Sequence, residues 1–166
     1  MEKLFEELKF LLVEELNLHG ELVKKAQEMN AGIKEKKVAR VQLLTALYDT
    51  IIGQVEILEV RRLEVCDALS RALMLKSRHT NLHGLIHHLP KEDQGYFIHL
   101  RDSLKGKLQE LVKINTSNQI LLNESLLAIG KNFELFVQQQ SKFANYKQSG
   151  TMSKETVNKS IVNHIA

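Results

Sequence analysis

The sequence predicts an all-α fold: an elongated antiparallel bundle or coiled coil of three long helices, with a short helix between the second and third. Three observations predict it. Apolar residues recur at helical spacing over three long stretches, and no stretch alternates as a strand would. Only one proline and eight glycines interrupt 166 residues, so few positions break a helix. Leu, Glu, Lys and Gln, all good helix formers, are abundant.

The first helix is expected over about residues 3–30. Its stripe is Leu4, Leu8, Leu11, Leu12, Leu16, His19, Leu22, Val23, Ala26 and Met29, with Glu6, Glu7, Glu14, Lys24, Lys25 and Glu28 on the other face. The break should fall within residues 30–37, where Asn30-Ala31-Gly32 and a run of lysines interrupt the stripe. The second helix is expected over 38–76. Val41, Leu44, Tyr48, Ile51, Val55, Leu58, Arg62, Val65, Leu69 and Leu73 line one side. At ~1.5 Å per residue such a helix is about 60 Å long, which suits a bundle better than a compact globule.

A short helix over 80–89 should follow, capped by Thr80 or Asn81 and ended by Pro90. The third long helix is expected over 92–146. Its stripe runs through Phe97, Leu100, Leu104, Leu108, Leu111, Leu122, Ile129, Phe133 and Phe136, and Asn115 and Asn118 fall on it. Two amides on an apolar seam read as a register element. If they are buried without full hydrogen bonding, replacing both by leucine should raise stability. Residues 1–150 read as one domain and 151–166 as a mobile amphipathic tail, in which Val157, Ile161, Val162 and Ile165 share a helical face.

Composition bounds the function. Net charge is +3 and spread along the chain, which gives no footprint for nucleic acid; the cluster Lys34, Lys36, Lys37, Arg40 encloses Glu35 and lacks interleaved aromatics. No apolar run approaches the roughly 18 residues of a membrane span, so stable insertion is not expected. Cys66 is the one cysteine, and the start Met1-Glu2-Lys3 is unlike the basic start of a secretory signal; a reduced, cytoplasmic location is the simplest reading.

The sequence carries no catalytic constellation. His79, His83 and His87 lie at i, i+4, i+8, a spacing that can hold Zn²⁺, but no cysteine joins them and the nearest acids, Glu92 and Asp93, lie beyond Pro90. No Glu-x-x-His pair of a di-metal bundle, phosphate loop or nucleophile turn occurs. Neither enzyme activity, a metal nor a cofactor is expected.

The last helix carries a resemblance. Asn115-x-x-Asn118-x-x-x-Leu122, then Ser125-Leu126-x-x-Ile129, then Tyr146-x-x-x-Gly150 resemble the final helix and tail of the FlgN-type flagellar export chaperones. Leu58-Glu59-x-x-Arg62 and Leu82-x-x-Leu85-Ile86-x-x-Leu89-Pro90 are similar to that family's second helix and inter-helix region. The chain departs from the pattern in having Lys147 after Tyr146. The resemblance implies a cytoplasmic, non-enzymatic chaperone whose partners are hook-associated flagellar proteins and the flagellar export gate. It implies gate docking for Tyr146 and makes Val157, Ile161, Val162 and Ile165 candidate client contacts. A helical adaptor that oligomerises through its seams is the alternative, and homo-oligomerisation stays open.

Overall fold

The computed structural model describes residues 1–75 and 82–144, with side chains up to Gln138. Four helices follow one another: α1 (Glu2–Lys34), α2 (Val38–Ala72), α3 (Leu82–Ile86) and α4 (Lys91–Ala144). The described residues contain no strand, so three long helices with a short one between the second and third is the observed architecture. The chain divides into two compact units, Met1–Leu122 and Asn123–Ala166.

Within the first unit the packing follows the stripes. Leu8, Leu11 and Leu12 of α1 meet Val65, Cys66 and Leu69 near the end of α2, together with Leu85, Ile86, Leu89, Phe97 and Leu100. Further along, Leu22, Val23 and Ala26 meet Ile51 and Leu111. The start of α1 therefore lies beside the end of α2, and this part of α4 runs in the direction of α1. Burial of each large aliphatic side chain here contributes about 1.5–3 kcal/mol, the main force holding the three helices together.

Helix ends differ from expectation for a local reason. α1 passes through Asn30-Ala31-Gly32 and stops only after Lys34. Gly32 is buried where α2 crosses: a Cβ there would stand 3.0 Å from Val41 Cγ2, so the glycine allows close approach and does not break the helix. The end is made at Lys36, whose φ is +56°. Its N–H bonds the Ile33 carbonyl and that of Lys37 bonds Gly32, at 3.0 and 2.9 Å, the two bonds of a Schellman turn. α2 ends the same way and short of residue 76. Met74 has φ +53°, and Met74 and Leu75 donate to Arg71 and Ser70. A lysine and a methionine stand where glycine is usual, which is why composition did not mark these ends. The short helix occupies five residues; its expected caps, Thr80 and Asn81, lie outside the described residues.

α2 contains an 18-residue window of mean hydropathy 1.2, reached without a contiguous apolar run because its apolar residues are distributed around the helix. By length and composition alone it passes the test for a membrane span, a test that helices of soluble proteins also pass.

Candidate partner-binding surfaces

The seam of α4 divides into three kinds of surface. Phe97, Leu100 and Leu111 are buried. A polar layer follows. Asn118 is 5% exposed; its Nδ2 donates to the Ala26 carbonyl at 3.0 Å and its Oδ1 accepts from Asn30 Nδ2 at 2.7 Å. Asn115 is exposed and donates to the Tyr48 hydroxyl at 2.8 Å. The two amides thus tie α4 to different helices, Asn118 to α1 and Asn115 to α2. Both make hydrogen bonds, so the condition under which leucine would stabilise is not met.

Beyond this layer the seam is exposed among the described residues. Leu122, Leu126, Ile129, Phe133 and Phe136 follow steps of four and three and are 42–66% exposed. The apolar stripe read through Phe136 is therefore core only at Phe97, Leu100 and Leu111, and Leu108 between them is 43% exposed. Periodicity shows which residues share a face; it does not show whether another helix lies against that face.

One buried ion pair was not legible in the sequence. Glu15 is 2% exposed on the buried side of α1, and Arg62 Nε donates to both its oxygens at 2.8 and 3.1 Å. Burial pushes the Glu15 carboxyl up, against the opposing pull of Arg62. The signal was present as Arg62 on an apolar stripe, but its partner lies 47 residues away. His19, on the same face as Glu15, makes a 2.7 Å hydrogen bond through Nδ1 to the Glu15 carbonyl oxygen.

The other candidates are placed as follows. His83 Nδ1 accepts from Arg101 Nη1 at 2.7 Å, and the His83 and His87 rings meet edge-to-face; His79 lies outside the described residues. Among the described residues no three His, Cys, Asp or Glu side chains group as metal ligands. Cys66 is 2% exposed and burial pushes its thiol up to about 11. Tyr146, Val157, Ile161, Val162 and Ile165 lie outside the described residues.

Three long helices with a short one between the second and third, and an exposed apolar stripe on the last, define an all-α class of protein. The chain is a member of the FlgN protein family, whose model matches residues 1–154. No curated protein and no solved structure matches it.

Proposed function

We propose that this chain is a cytoplasmic flagellar export chaperone that binds the helical C-terminal segments of hook-associated proteins, prevents their premature assembly and delivers them to the export gate. Family membership supports the chaperone class. The observation that carries the binding mode is the open seam Leu122–Leu126–Ile129–Phe133–Phe136, which has the step pattern an amphipathic helix needs for a partner helix. A client's terminal helices expose complementary stripes before assembly, and covering them suppresses wrong pairing.

In this reading the seam on α4 and the tail residues Val157, Ile161, Val162 and Ile165 bind the client, and Tyr146 docks to the gate. Ordering of the tail on contact moderates affinity and eases release. The test is calorimetric titration of the full chain with C-terminal segments of hook-associated proteins. Phe133→Glu with Ile129→Glu should weaken binding by ~100-fold, as loss of two apolar anchors does. Truncation after Gly150 should leave the helices folded and weaken binding; full-strength binding by that chain would remove the tail from the site. Tyr146→Ala should lower gate capture and leave client affinity unchanged.

A further inference from the structure

Where α1, α2 and α4 pack side by side, two of the grooves between them are laced by polar bridges. Arg61 and Arg62 of α2 hold Glu7 and Glu15 of α1 at 2.6 and 2.8 Å. Gln27 and Asn30 of α1 donate to Glu110 and Ser117 of α4 at 3.4 and 3.3 Å. The groove between α2 and α4 is built differently. Among the described residues its polar bridge is the bond from Asn115 to Tyr48 at one end. That bond, with Ile51 beside Leu111 and Cys66 beside Phe97, sets α2 and α4 in opposite directions.

Asn115 also marks the flank of α4 that faces α2. Lys105, Leu108 and Val112 precede it on that flank at steps of 3, 4 and 3. On α2, Ile52, Glu56, Val60 and Leu63 follow Tyr48 on the flank toward α4, at steps of 4, 4, 4 and 3. Val60, Leu63, Leu108 and Val112 are 58, 53, 43 and 65% exposed, and Ile52 beneath them is partly buried against the inner cluster. From residue 49 to 63 such a groove is about 20 Å long, roughly four helical turns. Its length and apolar lining are those of the slot that a fourth helix fills in a bundle.

The rims identify the occupant. Asp49 and Glu56 stand a heptad apart on the α2 rim and are exposed. Neither holds an ion pair among the described residues, and Lys105 on the α4 rim holds none either. Two free carboxylates at that spacing complement Lys or Arg on one flank of an incoming helix, and Lys105 complements an acid on its other flank. An anionic bilayer would be repelled by the carboxylate rim and has no shape that enters a groove between two helices.

We propose that the groove between α2 and α4 docks a helix of the client whose apolar stripe is flanked on one side by Lys or Arg a heptad apart, completing a four-helix bundle. The proposal rests on the chaperone reading above and adds to it a second contact surface.

The test uses the full chain with C-terminal segments of hook-associated proteins. Val112→p-benzoylphenylalanine should cross-link to the client on irradiation. Leu63→Glu with Val112→Glu should weaken calorimetric binding by ~100-fold. Both side chains are exposed, so circular dichroism should show unchanged helix content. Asp49→Lys with Glu56→Lys should weaken binding by ~10-fold at low salt and less at high salt. Binding that is indifferent to the groove variants but lost in Phe133→Glu with Ile129→Glu overturns the proposal and leaves the chaperone reading standing. A wild type that binds no segment overturns both. Tighter binding in the charge-reversed variant, or a cross-link that reaches only a second copy of this chain, overturns the proposal by giving the groove another occupant.

Discussion

Asn30 donates its amide to Asn118 across 2.7 Å, joining α1 to α4 at the point where the buried part of the α4 seam ends. The same Asn118 side chain donates to the Ala26 carbonyl. One nearly inaccessible amide is thus satisfied at both of its ends by α1, which fixes the register of the two helices at little net cost, since each bond replaces one made to water.

Replacing Asn118 by leucine should destabilise the chain by about 1–3 kcal/mol, because the Asn30 amide loses its shorter bond, keeping only the one to Ser117 Oγ at 3.3 Å, and the Ala26 carbonyl loses its side-chain donor. Asn115→Leu should cost less, its bond to Tyr48 being exposed. Urea denaturation of the two single variants measures both; a stabilised Asn118→Leu chain would show the polar layer to be dispensable.

Arg62→Met should cost about 3 kcal/mol at neutral pH, leaving the buried Glu15 carboxylate without its cation. Glu15→Leu combined with Arg62→Met should recover most of the loss. A double variant as unstable as the single one would mean that Arg62 acts through packing of its stem.

The same pair sets a pH dependence. The folded Glu15 pKa lies above its ordinary value, so between the two values the folded chain holds more proton than the unfolded one. The contribution of Glu15 to stability is therefore greatest below the ordinary carboxylate value and falls as pH rises through the raised one. Subtracting the stability curve of Glu15→Gln from that of the wild type should show this fall. A difference that rises with pH over that window would reverse the assignment.

Cys66, with its thiol near 11, should be almost wholly protonated at pH 8 and shielded from reagents. Iodoacetamide labelling followed by mass spectrometry should therefore track opening of the fold, being slow in buffer and fast in urea. Rapid labelling of the native chain would contradict the burial.

Lys36→Gly and Met74→Gly should each stabilise by about 1 kcal/mol, since both positions hold a left-handed backbone that glycine adopts freely. Thermal melts of the two variants decide this, and an unchanged or lower melting temperature would show that the lysine and methionine side chains contribute contacts that offset their backbone cost.

The sequence by itself determined the fold class and the inner faces. Leu8, Leu12, Leu22 and Ala26 on α1, and Leu44, Ile51, Val65 and Leu69 on α2, were legible because a helix puts every third or fourth residue on one side. It determined the family as well, through motifs in the second and last helices. Only the tertiary structure decided what each face meets. It paired Arg62 with Glu15 and Asn118 with Ala26 and Asn30, partners far apart in the chain that no periodicity links. It ended α1 and α2 at a lysine and a methionine, where backbone hydrogen bonds outweighed the residue preference. It also showed that the stripe from Leu122 to Phe136 is exposed, as are Leu43, Ile57 and Val60 of α2. Helical period fixes direction around one axis, whereas burial depends on a second helix arriving there.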